Sequence, residues 1–326
     1  MTLAQGVERR QERPVVGIPR ALFFYEYEVF LRAFFQSLGV SVLVSPPTNA
    51  SILDAGTRLC VDECCLPVKV FFGHLAALSG QCECVLVPRL VSVARREYTC
   101  PKLLGLPDMV REQARVSGQR IIDVTVDMYR NRSSLVGASI ETARLVGRRP
   151  DQALCALGLA LKAGSRSRSR VPAVQDRSPG RDGAGLAVGV LGHSYLVNDI
   201  GLNLRLETHL RRAGVSEVIT EPAMELHEVE REAATLPKPL FWTYEKATVG
   251  GALVMLKHRR VDGVIHLASF GCGPESMVST IIEWHCRRAG MPYMLLTVDE
   301  HTGEAGLETR VQAFVDMLDW RKKEAL

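Results

Sequence analysis

Short continuous apolar runs alternate with amphipathic stretches along most of the chain. Val15-Val16-Gly17-Ile18 and Ala187-Val188-Gly189-Val190-Leu191 read as buried strands, each followed by a segment whose apolar positions recur at helical spacing. Leu22-Phe23-Phe24-Tyr25 through Phe34-Phe35 is the buried stripe of the first such helix and carries no chemistry of its own. The two helical segments close alike, at Leu38-Gly39-Val40-Ser41 and Ala213-Gly214-Val215-Ser216, with Gly39 and Gly214 in the C-cap role and a second strand beyond. A third strand in each half runs toward a cysteine: Val85-Leu86-Val87-Pro88 ahead of Cys100, and Gly263-Val264-Ile265-His266-Leu267 ahead of Cys272. A fourth ends each time in Thr-Val-Asp, at 125–127 and 297–299.

Strands of this kind, separated by helices, form parallel sheets covered on both faces. The matching order of elements indicates an internal duplication. The expected fold is therefore α/β: two facing doubly wound, Rossmann- or flavodoxin-like parallel-sheet domains. The expected boundaries are a polar tail at 1–14, a first domain at 15–163, a flexible Ser/Arg/Pro/Gly linker at 164–185 and a second domain at 186–326.

Composition changes this picture in two ways. At 326 residues and 47% hydrophobic, the chain can bury cores of ordinary size. No run approaches the roughly 20 apolar residues that span a bilayer, and the polar start lacks an export signal, so a cytoplasmic protein with no membrane partner is expected. A net charge of +4 raises the question of nucleic acid. However, nine Lys or Arg against two Asp lie between Arg144 and Arg181, so the excess belongs to the linker. Its Ser165-Arg166-Ser167-Arg168-Ser169-Arg170 core has no aromatic residues for base stacking, which speaks against nucleic acid.

The nine cysteines of a chain in a reducing compartment favour thiols or metal ligands over disulfides. Three stand where a strand or loop breaks into a turn: Asp62-Glu63-Cys64-Cys65-Leu66-Pro67, Tyr98-Thr99-Cys100-Pro101-Lys102 and Phe270-Gly271-Cys272-Gly273-Pro274. In open parallel sheets, ligands bind beyond the carboxyl ends of the strands, where Cys100 and Cys272 fall. Pro67 and Pro274 each follow a cysteine by two residues, so Cys65 and Cys272 are expected to cap helices. The helix N-terminus there is expected to lower the thiol pKa and favour thiolate. Cys65, Cys100 and Cys272 are thus candidate metal ligands, although spacing alone does not decide between Cys64 and Cys65, and zinc would suit the donors as well as iron. Cys82, Cys84, Cys155 and Cys286 read as small core residues.

Longer motifs carry a resemblance. Asp62 to His74, Pro88-Arg89-Leu90-Val91-Ser92, Cys100-Pro101-Lys102, Leu106-Pro107-Asp108, Phe270 to Pro274 and Asp299 to Gly306 resemble the CoA-enzyme activase-related proteins. Those are relatives of the 2-hydroxyacyl-CoA dehydratase and benzoyl-CoA reductase subunits. The resemblance covers nearly the whole chain apart from the tail and the linker. Because the family has Asp-Glu-Ala-Cys-Leu-Pro where this chain has Asp-Glu-Cys-Cys-Leu-Pro, it implies Cys65 as the ligand. It further implies an oxygen-sensitive 4Fe-4S cluster held by Cys65, Cys100 and Cys272, acting in low-potential electron transfer or in ATP-coupled reductive or dehydratase chemistry.

The implied partners are an ATP-hydrolysing activase or dehydratase and reductase subunits, because no Asp-x-Gly-Ser or Gly-x-x-x-x-Gly-Lys segment occurs here. A homo- or heterodimer is compatible with the resemblance. Two other readings stay open: a noncatalytic cluster carrier or assembly partner, and a zinc-stabilised α/β binding domain. Additional site candidates are Cys60 and Cys64, as ligands of a second centre; His74, on the helix that Cys65 starts; and His193, at the end of the first strand of the second half. Lys69 and Lys102 could offset cluster charge or meet an acyl-CoA phosphate.

Overall fold

The structure, a computed structural model, describes residues 14–168, 185–220 and 224–324. In the first half, β1 (Val15–Ile18), β2 (Ser41–Val44), β3 (Cys84–Leu86) and β5 (Ile121–Ile122) form a parallel sheet of order β2-β1-β3-β5. In the second half, β7 (Leu186–Leu191), β8 (Val215–Thr220), β9 (Gly263–Ser269) and β10 (Tyr293–Val298) form another, of order β10-β9-β7-β8. Numbered within its own half, each sheet reads 2-1-3-4, so the duplication is present in the topology. All of β7 and β9 is buried, as expected for strands with helices on both faces. Gly39 and Gly214 follow the ends of α1 (Phe24–Ser37) and α8 (Leu206–Arg212) with φ of +67° and +97°, a conformation that only glycine adopts cheaply.

The halves differ at two places. Thr125-Val126-Asp127 does not close the first sheet as its counterpart closes the second. It forms β6 (Thr125–Asp127), which pairs with β4 (Arg89–Ser92) in a separate two-stranded ladder. The register is continuous across the break, Val85 with Ile121 and Arg89 with Thr125. Pro88 interrupts the ladder because it has no N–H to donate. The crossover after β7 is also divided, into α7 (Ser194–Val197) and α8, and the loop between them carries Asp199 toward the first half.

The remaining helices are α2 (Ala50–Leu59), α3 (Leu66–Leu78), α4 (Pro101–Ser117), α5 (Ser134–Leu145), α6 (Pro150–Arg168), α9 (Leu226–Ala233), α10 (Thr243–His258), α11 (Gly273–Arg288) and α12 (Glu304–Glu324). Helix α6 continues through Gly164 to Arg168, and the rest of the expected linker, like the N-terminal tail before Pro14, lies outside the described residues. Among the described residues, no helix is long and apolar enough to cross a membrane. Cys84 and Cys286 are core residues and Cys82 is half-buried. Cys155, expected in the core, is instead exposed, because α6 turns it outward with Leu154 and Leu159.

Helix α3 lies at the centre and is buried on nearly every side. It crosses α2 at a glycine pair: a Cβ on Gly73 would fall 1.9 Å from the Ile52 carbonyl oxygen, and one on Gly56 2.1 Å from that of Lys69. Polar links tie the halves. Thr48 donates to Asp199 at 2.5 Å, Lys246 to Glu97 at 2.5 Å, and the Tyr98 amide to the Phe241 carbonyl at 2.6 Å.

Candidate metal centre

Each of the three turn cysteines is the N-cap of a helix: Cys65 of α3, Cys100 of α4 and Cys272 of α11, with a proline in the first or second helical position each time. Proline supplies helical φ where an N–H would be orphaned anyway. The backbone N–H three residues on, that of Val68, Leu103 or Glu275, is directed at each sulfur. None approaches closely enough to count as a capping hydrogen bond. Three helix N-termini therefore converge, and their partial positive charges favour an anionic occupant.

The three cysteines line one cavity of about 300 Å³, with Leu22, Val68, Lys102 and Tyr195. Its size is at the lower end of ligand pockets, which run from roughly 300 Å³ upward. Gly271, at φ +76°, brings the second half against the first: a Cβ there would stand 3.8 Å from Cys65 Cα. Lys102 fastens the same seam by donating to the Glu63 carbonyl at 2.6 Å and the Gly271 carbonyl at 3.2 Å. A wider depression of about 510 Å³, lined by Asp123, Asn131 and Glu141 among others, contains no cysteine or histidine.

The expectation of depressed thiol pKa values is corrected. Burial pushes the Cys65 thiol up to about 11, against the pull of Lys102 and the Val68 amide. It raises Cys100 and Cys272 too, and Glu275 adds to the rise at Cys272. Desolvation outweighs the helix ends at these positions. Without a metal the thiols are protonated, and loading the site must expel their protons.

The other sequence candidates separate. Cys64 does not line the cavity, and its partner is Cys60, whose thiol burial and then the Cys64 contact push up to about 12. Lys69, 3% exposed, forms an ion pair with Glu300 of the second half, so its ammonium is committed to the seam between halves. His74 is fully buried and away from the cavity. Its Nδ1 meets Ser45 Oγ at 2.9 Å and its Nε2 meets Thr48 Oγ1 at 3.0 Å. Burial, aided by Arg20, lowers its pKa from 6.5 to about 4.

A depressed histidine stabilises the fold above its unfolded pKa and loses that contribution as pH falls through its folded value. Unfolding free energy should therefore drop by about 3 kcal/mol between pH 6.5 and about 4. Urea melts of wild type and His74→Gln across that range check this; parallel pH profiles would refute it.

His193 is the N-cap of α7 and 3% exposed. Its Nδ1 is 2.6 Å from the Tyr195 hydroxyl, and its Nε2 is 3.4 Å from Glu245 Oε1. Glu275, fully buried in the first turn of α11, accepts from the Ser269 amide at 3.1 Å and stands 3.5 Å from His266 Nε2. Burial raises the Glu275 pKa, but His193 and His266 outweigh it and hold the carboxyl below its usual range. Burial, and then the three thiols, raise the Tyr195 hydroxyl far above its usual value. Tyr195, Glu245 and Glu275 were not singled out from the sequence. Glu275 had a signal, since an acidic residue three places after an N-cap is a capping-box position.

Compared with known families, residues 15–223 match the CoA enzyme activase uncharacterised domain. That is well over half of the chain. The chain belongs to this family. Residues 231–318 match a second family, the 2-hydroxyglutaryl-CoA dehydratase D-component. Compared with curated proteins, the chain finds no match. Together the two matches support a role in CoA-enzyme dehydratase chemistry alongside an activase or dehydratase subunits. The guanidinium of Arg89 clasps both oxygens of Asp108 at 2.8 Å and caps the Leu104 carbonyl at 2.6 Å, beside Pro107 inside α4.

Proposed function

We propose that Cys65, Cys100 and Cys272 hold a 4Fe-4S cluster in the cavity between the halves. The protein would then serve ATP-coupled reductive or dehydratase chemistry on CoA esters in the cytoplasm, with ATP hydrolysis performed by a separate activase chain. The observation that carries the reading is the convergence of three cysteine N-caps, from three helices of both halves, on one cavity. The donors suit the group: three thiolates match the soft ligands of iron–sulfur clusters, and Gly271 and Gly273 leave backbone rather than side chain at the rim. Held by these three residues, the cluster would supply low-potential one-electron transfer.

The chain's own residues prepare that role. The helix N-termini and Lys102 offset negative charge, and amides directed at the sulfurs raise the potential relative to bare thiolate ligation. Leu22, Val68 and Leu103 exclude water from one wall. The pairing of Lys69 with Glu300 and of Thr48 with Asp199 holds the two halves at the separation the ligands need.

Purification without oxygen, followed by iron and sulfide analysis and an EPR spectrum after reduction, tests the proposal. Iron and acid-labile sulfide in equal amounts are expected. Protein prepared this way that contains neither, even after reconstitution with iron and sulfide, overturns it. Electron transfer from a purified activase and ATP to the cluster would then separate a reaction component from a passive carrier.

A further inference from the structure

Behind Cys272, the second half carries a donor set that shares only that sulfur with the thiolate site. His193, Cys272 and Glu275 each offer one ligand atom, and these atoms lie within 4.8 Å of one another. His193 Nδ1 is 3.8 Å from Glu275 Oε2, a gap that two ligands at about 2.0–2.2 Å from one ion span at a wide bond angle. Neither residue is at the surface: their side chains are 3% and 1% exposed.

Each has an outer partner. Glu245, 2% exposed, stands 3.4 Å from the other ring nitrogen of His193. His266, fully buried, stands 3.5 Å from the other oxygen of Glu275, and its own Nδ1 meets the Tyr293 hydroxyl at 3.0 Å. A carboxylate behind a ligating imidazole, and a hydrogen-bonded group behind a ligating carboxylate, are the partners that orient metal ligands. The arrangement is also built by distant elements: the end of β7, the start of α10, β9 and the first turn of α11.

We propose that His193 through Nδ1, Cys272 and Glu275 bind a single divalent ion of the zinc or ferrous class. The Tyr195 hydroxyl, 2.6 Å from His193 Nδ1, gives up that contact when the nitrogen ligates the ion and is then placed beside its fourth position. The mixed nitrogen, sulfur and oxygen donors suit a borderline ion, whereas calcium and magnesium require about six oxygens. Because one sulfur serves both donor sets, the ion occupies the chain when the cluster is absent. The ion site shares only Cys272 with the cluster reading and does not depend on it.

Cobalt(II) titration of full-length, metal-free protein tests the site, since a cobalt–thiolate bond gives a charge-transfer band in the near ultraviolet. Cys65→Ser and Cys100→Ser should bind within about twofold of wild type. His193→Gln, Glu275→Gln and Cys272→Ser should each weaken binding at least tenfold, and Glu245→Gln by about ten- to a hundredfold. Equal losses in Cys65→Ser and Cys100→Ser would overturn the proposal, as would unchanged binding in His193→Gln and Glu275→Gln. X-ray absorption of the zinc-loaded wild type decides the matter even where a variant fails to fold. One sulfur neighbour with nitrogen and oxygen supports the site, and three sulfurs, or none, refute it. Sulfide content of oxygen-free protein has no bearing on either readout, so the two proposals fail separately.

Discussion

Serine in place of Cys65, Cys100 or Cys272, one at a time, is expected to abolish retention of iron and sulfide in protein purified without oxygen. Cys64→Ser, Cys155→Ser and Cys286→Ser should retain both. The contrast follows from position. The three ligand candidates line one cavity as helix N-caps, whereas Cys64 turns toward Cys60, Cys155 is exposed and Cys286 is fully buried elsewhere. Serine keeps size and polarity, but its hydroxyl does not ionise to a soft ligand, so the loss should be near complete rather than graded. The serine variants should still fold, because an N-cap serine is at least as good as cysteine at a helix start. Circular dichroism of the metal-free variants separates lost ligation from lost structure. Iron retained in any of the three, or lost equally in Cys155→Ser, would undo the ligand assignment.

Gly73→Ala is expected to destabilise the protein by about 3 kcal/mol or more, at the upper end of overpacking effects. The new Cβ would meet the Ile52 carbonyl oxygen at 1.9 Å and its carbonyl carbon at 2.8 Å, and these are backbone atoms that no rotamer change can move. Helices α2 and α3 would have to separate. Because α3 begins at Cys65 and carries Lys69 to Glu300, that shift should also reduce iron content in the protein that still folds. Gly105→Ala is the control. Gly105 lies in α4 with nothing within 4 Å of the added Cβ, and the substitution should raise stability by roughly 0.5–1 kcal/mol through helix propensity. Urea unfolding of the two variants measures both; similar values would show that the crossing does not depend on Gly73.

The helix starts at Cys65 and Cys272 were legible because their signals are local. A cysteine followed within two residues by proline marks a helix start, and three such starts occur at the ends of apolar runs. Cys100, read only as a strand-end residue, is a helix N-cap like the other two, and Pro101 directly after it was the available signal. The thiol pKa direction was not legible. A helix N-terminus can be read from neighbouring residues, but the burial that outweighs it depends on how the chain closes over the cavity that Cys65 and Tyr195 line from opposite halves. Lys69 shows the same limit. Its sequence neighbours suggest a free cation beside the site, while its partner Glu300 is 231 positions away.

Periodicity, turn residues and caps specified the order of elements, the repeated half and the helix starts of Cys65 and Cys272, because each depends on contacts within a few residues. Pairing across the chain specified the rest. The break at Pro88 moved Thr125-Val126-Asp127 to its own ladder, α6 turned Cys155 outward, and separate elements of the second half gathered His193, Tyr195, Glu245 and Glu275 behind Cys272. These outcomes depend on which distant atoms meet and on how far each meeting excludes water, and neither follows from spacing along one strand or helix.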